Sequence, residues 1–229
     1  MTRKDIIKLS ITEATILNAT EKARQQIIFH DNLRKREPII QLDSKIRGYI
    51  GEVGLKGWFA SHDIHFAKAN TMKTAENMDI DLVYETKNQT LHLEVKTSLV
   101  ADKDRNWDDI LRNRDIKLIR RKNQKIEELT GDLHLQIYFY GHRKKRDNFL
   151  KSLNLNLNIP INELYKKMQL QHYLNNTYFI GWIDKPTLIQ QINHKSRKTW
   201  AFAKREFWLC NLGKDAKKPI DILEYLYQI

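Results

Sequence analysis

Two short segments have the clearest strand pattern in the sequence: Asp79-Ile80-Asp81-Leu82-Val83-Tyr84 and Leu91-His92-Leu93-Glu94-Val95-Lys96-Thr97. Each is short, apolar and bounded by polar residues, which is typical of a β-strand. Lys87-Asn88-Gln89 lies between them and has the polar character of a turn. The two stretches therefore predict a β-hairpin.

The alternation of side chains along a strand places charged residues together at this hairpin. Glu94 and Lys96 are two positions apart and share one face, while Leu93 and Val95 share the face that packs. Asp81 begins the preceding strand. If the two strands pair, Asp81 comes near Glu94, and two carboxylates and a lysine converge.

The pattern around the hairpin alternates between helical and strand segments. Helical periodicity predicts helices at Ile11–Arg36, which ends before Pro38, and at Ser44–Ser61. The other predicted elements are a strand at Ile64–Ala67, a helix at Asp115–Leu129, a strand at Leu133–Tyr140, a helix at Ile161–Leu174, a strand at Tyr178–Ile183, a helix at Lys185–Ile192, and a last strand or docking segment at Phe207–Leu212. This order predicts an α/β fold with a mixed central β-sheet flanked by helices, together with helical additions.

The length of 229 residues and the absence of a Gly- or Pro-rich linker predict one domain. We expect an N-terminal helical part over about 1–43, a catalytic core over about 44–183 and a C-terminal part over about 184–229. Gly51, Gly54 and Gly57 recur at every third position of the second helix. Glycine costs helix stability, so this spacing predicts that the helix lies close against another element.

The net charge of +12 and the pI of about 9.6 favour an anionic partner, with nucleic acid first. The alternative is a lysine-rich surface without a binding role. The lone Cys210 favours a reducing compartment. No apolar run is long enough to span a membrane, and the start MTRKDIIKLS lacks the apolar core of a signal peptide. We therefore expect a cytoplasmic protein without membrane contact.

Asp81, Glu94 and Lys96 together suit hydrolysis of a phosphodiester. Carboxylates are the ligands that Mg²⁺ prefers, and a bound metal ion lowers the pKa of its water. A lysine beside that water can orient it or stabilise charge on the phosphate. The alternative is a salt bridge between Glu94 and Lys96 on a solvated face of the hairpin. Glu52 lies in an otherwise apolar helix, where a charge needs a partner or a metal, unless it points to solvent.

Glu52, Asp81, Glu94 and Lys96, in this order, resemble the PD-(D/E)XK nuclease superfamily, which includes most type II restriction endonucleases. The similarity covers about residues 48–98, and Ile80 stands where the family often has proline. The resemblance implies that Asp81 and Glu94 hold Mg²⁺, that Lys96 positions the attacking water and that Glu52 supports the site. Asp79 competes with Asp81 for the metal role. Mn²⁺ is expected to substitute for Mg²⁺.

The resemblance further implies a restriction-endonuclease-like core and a homodimer that cuts double-stranded DNA as a type II restriction endonuclease. Three alternatives stay open. One is a Holliday-junction, repair or transposon nuclease of the same superfamily, another is a ribonuclease, and the third is a basic DNA-binding module without catalysis.

Basic residues after the second strand are the predicted DNA contacts. They are Lys103, Arg105, Arg112, Arg114, Arg120, Arg121, Arg143, Lys144 and Lys145, together with Arg146 at the end of the basic run that follows Tyr140. Trp107, Trp200 and Trp208 are expected to pack in the core, as is Cys210. His62 and His65 form a poor zinc signal, and no Gly-rich phosphate loop indicates a nucleotide cofactor.

Overall fold

The computed structural model describes residues 1–27, 37–68, 81–202 and 205–229. Its strands are β1 (Ile7–Lys8), β2 (Ala67–Lys68), β3 (Leu82–Glu85), β4 (Thr90–Val100), β5 (Leu118–Arg120), β6 (Leu133–His142), β7 (Thr177–Asp184), β8 (Thr199–Phe202) and β9 (Arg205–Trp208). Its helices are α1 (Glu13–Ile27), α2 (Pro38–Ala60), α3 (Trp107–Asn113), α4 (Arg143–Ser152), α5 (Ile161–Lys167), α6 (Leu170–Leu174), α7 (Lys185–His194) and α8 (Asp221–Tyr227).

The central sheet has six strands in the order β1-β7-β6-β4-β3-β2. Strands β4 and β6 are parallel, whereas every other neighbouring pair in this sheet is antiparallel. A second, antiparallel sheet has the order β5-β9-β8. Helices cover the central sheet, so the expected α/β class with a mixed central sheet is confirmed.

The two faces of the central sheet carry separate cores. On one face, side chains of α1, α2, α4, α5, α6 and α8 pack against the sheet, and Leu93 and Val95 of β4 belong to this cluster. On the other face, α3, α7, β5 and β9 contribute to a smaller cluster that includes Tyr138 and Ile180. Glu94 and Lys96 alternate with Leu93 and Val95, so β4 presents them on the second face.

Helix α2 packs closely at two of its glycines, against the sheet at Gly51 and against the segment between β1 and α1 at Gly54. A Cβ added at Gly51 would lie 2.6 Å from Cγ2 of Thr97, and one at Gly54 would lie 2.7 Å from Cδ1 of Ile11. The expected close packing is therefore confirmed for Gly51 and Gly54. It is wrong for Gly57, where a Cβ would meet nothing within 4 Å among the described residues.

The predicted hairpin is confirmed, with Leu82 opposite Leu93 and Tyr84 opposite Leu91. The strands predicted at Leu133–Tyr140 and Tyr178–Ile183 are β6 and β7. Residues 28–36 of the first predicted helix lie outside the described residues, as does Asp79. Trp107, Trp208 and Cys210 are buried, as expected.

Helix α2 begins earlier than predicted. Pro38 opens it at the first helical turn, where the missing N–H of proline costs no hydrogen bond. The helix therefore crosses the boundary near residue 43 that separated a helical part from the core. The strand β1 also adds the N-terminal part to the central sheet.

The helix predicted at Asp115–Leu129 is wrong. This segment contains β5, which pairs with β9, and a short 3-10 turn at Ile126–Glu128. Ile116 and Leu118 are two positions apart, and both are completely buried, as in a strand. The pairing with a distant strand determines this structure. The helix predicted at Ile161–Leu174 is also divided, because Gln169 has a positive φ of 51°.

The basic run that follows β6 lies in α4, which the sequence did not predict as a helix. No helix among the described ranges is long and apolar enough to cross a membrane.

Candidate active site

The hairpin register brings Asp81 to β4 at the position of Glu94. Asp81 directly precedes β3, and its backbone N–H donates to the carbonyl of Leu93 at 2.9 Å. Its side-chain Oδ2 accepts a hydrogen bond from the N–H of Val95 at 2.7 Å. Asp81 is therefore held to β4 on both sides of Glu94, through its backbone N–H at Leu93 and through its carboxylate at Val95.

Glu94 is the buried centre of this group, because its side chain is only 3% exposed. One carboxylate oxygen, Oε1, forms an ion pair with Nζ of Lys96. The other oxygen, Oε2, lies 2.8 Å from Nδ1 of His134. The pair of Glu94 and Lys96 is thus not a surface salt bridge on a solvated hairpin, because the carboxylate of Glu94 is almost completely buried.

The environment of Glu94 keeps its carboxyl group ionised. Burial raises its pKa, but the hydrogen bond with His134 and the charge of Lys96 act in the other direction, and the net pKa is lowered. The site therefore holds a buried carboxylate at neutral pH. A buried anion with neighbouring cationic and hydrogen-bonding groups is one of the arrangements found at functional sites.

His134, which was not predicted as a site residue, lies opposite Glu94 in the parallel pair of β4 and β6. The His134 side chain is completely buried, and its Nε2 has no hydrogen-bond partner among the described residues. Gly131 lies beside this ring, and its φ of +89° is a backbone conformation that favours glycine. A histidine inside the apolar run from Leu133 to Tyr140 was the available signal.

Gln136 was also missed, and it secures the backbone of β4 next to the catalytic candidates. Its Nε2 donates to the carbonyl of Lys96 at 2.9 Å and to Oγ of Ser98 at 3.0 Å. Its Oε1 accepts a hydrogen bond from the N–H of Lys117 at 3.1 Å. Gln136 thereby joins β4 to the segment that leads into β5.

Glu52 lies on α2 with a partly exposed side chain. The buried side of α2 touches the sheet at Gly51, next to Thr97. Thr97 alternates with Lys96 along β4, so α2 covers the face opposite to the one that carries Glu94 and Lys96. The role of Glu52 in supporting the metal site stays a prediction.

Asp81 and Glu94 together fit a hard cation such as Mg²⁺. The atoms that these two side chains offer to a metal are all carboxylate oxygens. Mg²⁺ often binds one or two protein carboxylates while keeping several waters. No group of three or more His, Cys, Asp or Glu side chains close enough for a metal occurs in the part of the chain that the structure describes. A site here would therefore rest on these two residues and on water or phosphate oxygens.

A cleft of about 710 Å³ has Lys96 in its wall. The loop after β4, the segment between α3 and β5, the start of α4 and the strands β8 and β9 form its other walls. Its basic lining residues are Lys96, Lys103, Arg114, Lys117, Arg143 and Arg205. Two acidic side chains, Asp102 and Asp115, also line it. Burial raises the pKa of Asp115 to about 6, so its negative charge is lost just below neutral pH.

Three of the predicted DNA contacts line this cleft: Lys103, Arg114 and Arg143. Arg114 is also held in the fold, because its Nη2 lies 2.8 Å from Oδ1 of the buried Asp104. Arg120 pairs with Glu206 at 2.7 Å in the second sheet. Five further predicted contacts are exposed at the surface, and they are Arg105, Arg112, Arg121, Lys144 and Lys145.

Arg146, at the end of the same basic run, points inward. It donates to Oδ1 of the buried Asp43 through Nε at 3.0 Å and through Nη2 at 2.8 Å. A third donor, Nη1, bonds to the carbonyl of Met168 at 2.8 Å. This arginine therefore ties α4 to α2 and does not belong to the basic surface.

Comparisons of the chain with protein-family models, with curated proteins and with solved structures found no match. The geometry of Asp81, Glu94, Lys96 and His134 and the chemistry of the adjoining cleft are therefore the observations that bear on function.

Proposed function

We propose that this protein is a Mg²⁺-dependent nuclease that hydrolyses phosphodiester bonds of DNA. One observation carries the proposal. The hydrogen bond from the N–H of Val95 to Asp81 holds one carboxylate beside a second, buried carboxylate, Glu94, which is paired with Lys96. Two carboxylates can hold a metal ion that activates water and polarises a phosphate, and a lysine beside them can stabilise the developing negative charge.

Each residue has a definite task in this proposal. Asp81 and Glu94 would hold Mg²⁺, which supplies a polarised phosphate and a bound water of lowered pKa. Lys96 is 20% exposed and lines the cleft, so its ammonium group can reach a bound phosphate from the side of Glu94. There it would stabilise the negative charge that develops on the phosphate oxygens. His134 would keep the Glu94 carboxylate in one orientation from behind.

The restriction-endonuclease-like core and the membership in the PD-(D/E)XK superfamily are part of the same proposal. What supports them is the order of elements, in which α2 is followed by the antiparallel strands β2, β3 and β4 and then by the parallel strand β6. In this order Asp81, which directly precedes β3, lies next to Glu94 on β4. We propose double-stranded DNA as the substrate and a homodimer as the active form, because a two-fold protein suits a palindromic site.

The test of the function is incubation of the protein with phage DNA and Mg²⁺, followed by sequencing of the DNA ends. We expect cleavage with Mg²⁺ or Mn²⁺ and binding without cleavage in Ca²⁺, which takes oxygen ligands at longer distances and with looser geometry. Full activity in EDTA would refute the metal mechanism.

The same digestion distinguishes the classes of nuclease. A type II restriction endonuclease produces discrete bands from plasmid DNA, whereas a junction or repair nuclease prefers branched DNA. A protein that binds these substrates but cuts neither of them, with any divalent metal, would be a binding module.

His134 offers a further prediction on the same site. His134→Leu removes the hydrogen bond to Glu94, and we expect single-turnover cleavage to slow by roughly 10- to 100-fold, the usual effect of losing an outer partner of a metal ligand. His134→Asn places an amide donor near the position of Nδ1 and should recover most of that loss. Thermal unfolding of both variants separates this effect from a change in stability. Equal rates for the Leu and Asn variants would contradict a role through the hydrogen bond.

A further inference from the structure

Cationic and aromatic side chains both line the cleft beside Lys96, and binding of a stacked duplex would not require the aromatic ones. Its cationic side chains suit phosphate groups. Its aromatic side chains come from Tyr138, Trp200, Phe202 and Phe207. The flat faces of bases are covered by their neighbours in a stacked duplex, and they become available to aromatic residues only when nucleotides are unpaired.

The aromatic part of the cleft is organised by the strands β8 and β9. Trp200 and Phe207 are paired across these strands and stack with their ring centroids 4.6 Å apart and an interplanar angle of 18°. The two stacked rings form one apolar wall of the cleft. The indole Nε1 of Trp200 is buried and has no hydrogen-bond partner within the described ranges.

Phe202 is the accessible aromatic group of the cleft. It is 50% exposed, although it is a large apolar side chain. The guanidinium of Arg143 lies over its ring, 5.9 Å from the centroid. A cation above an exposed aromatic ring, at the mouth of a basic cleft, offers a face for a base and a charge for the adjoining phosphate.

We infer that this cleft binds one or two unpaired nucleotides of the DNA strand next to the phosphate that is cut, with a base against Phe202 and the Trp200–Phe207 wall. The volume of about 710 Å³ is within the usual range of sites for small organic ligands. Lys96 belongs both to the cleft and to the ion pair with Glu94. The cleft therefore adjoins the proposed catalytic group at Lys96, whereas Asp81 and Glu94 do not line it.

This inference rests on the proposed nuclease function, because that function identifies the bound strand as the strand that is cut. Its test measures binding alone. Labelled oligothymidylate and an oligonucleotide of equal length made of abasic sites carry the same phosphates and differ in their bases. In EDTA, where no cleavage is expected, fluorescence anisotropy should show tighter binding of oligothymidylate by at least about fivefold, since stacking of one base on an aromatic side chain has an effect of this size or more.

Substitutions of Phe202 identify the source of that preference. Phe202→Ala and Phe202→Leu should remove most of it, because neither keeps an aromatic face, whereas Phe202→Tyr should retain it. The matched control is Tyr227→Ala, which removes an aromatic side chain that is 63% exposed and lies outside the cleft lining. Thermal unfolding checks that each variant is folded.

Equal binding of the two oligonucleotides by the native protein would overturn the inference, and so would a preference that survives in Phe202→Ala and Phe202→Leu. These outcomes leave the nuclease proposal intact if Mg²⁺-dependent cleavage is observed. Conversely, a base preference that depends on Phe202, without cleavage under any condition, would remove the nuclease function and keep the binding site.

Discussion

Glu94→Ala and Asp81→Ala are each expected to abolish cleavage while DNA binding stays largely intact. Each substitution removes a proposed metal ligand and leaves the basic side chains of the cleft in place. Single-turnover cleavage in Mg²⁺ and a DNA titration in Ca²⁺ measure the two effects separately. The matched control is Glu85→Ala, which removes an exposed carboxylate at the end of β3.

Glu94 needs a second variant because its carboxylate is buried between Lys96 and His134. Removing one partner of a buried ion pair destabilises a protein by about 3–5 kcal/mol, so Glu94→Ala could lose activity through unfolding. Glu94→Gln keeps the size of the side chain and an oxygen that accepts a hydrogen bond, but it removes the charge. A folded Glu94→Gln protein with normal cleavage would contradict the assignment of Glu94 as a metal ligand.

The outcome for Asp81 also resolves its competition with Asp79. Asp81 is attached to β4 through Val95, whereas Asp79 lies outside the described residues. Normal cleavage by Asp81→Ala would remove it from the site. Loss of cleavage in Asp79→Ala alone would transfer the metal role to that residue.

The hairpin and its charged face could be predicted from the sequence because both depend on the local order of residues. The period of two places Glu94 and Lys96 on one face, and a short polar turn sets the pairing with Asp81. The neighbouring His134 could not be assigned in this way. It reaches Glu94 through a parallel strand pair that joins positions forty residues apart, and no local pattern encodes that register.

The same reason explains the errors outside the site. The segment from Asp115 to Leu129 has a helical distribution of apolar residues, but β5 forms because β9 offers it hydrogen bonds from a distant part of the chain. The cleft depends on this pairing as well, since β8 and β9 supply its aromatic wall. Arg146 lies in a basic run and was therefore predicted to be at the surface. It is buried because its partner Asp43 lies more than a hundred residues earlier in the chain, and no local pattern shows that contact.

Lys96→Ala is expected to keep the fold and the DNA binding but to cut at least about a hundredfold more slowly. A loss of this size is about 2.7 kcal/mol of transition-state stabilisation. Lys96→Arg should also fail, because a planar guanidinium does not replace a compact ammonium group in a confined site. The measurement is single-turnover cleavage with saturating enzyme and Mg²⁺, alongside a binding titration in Ca²⁺. Lys103→Ala is the matched control, since it removes an exposed lysine from the same cleft and should weaken binding without slowing cleavage at saturation.

A purely structural role of Lys96 predicts a different result for Lys96→Ala from a catalytic role. Its partner Glu94 is almost completely buried, and loss of the lysine would leave that carboxylate with His134 alone. A purely structural role would therefore lower the melting temperature and reduce the amount of folded enzyme, while the folded fraction would cut at its normal rate. A catalytic role slows the folded enzyme itself. Near-normal single-turnover cleavage by folded Lys96→Ala would leave Asp81 and Glu94 as a carboxylate pair without the group that stabilises charge on the phosphate, and the nuclease proposal would then be lost.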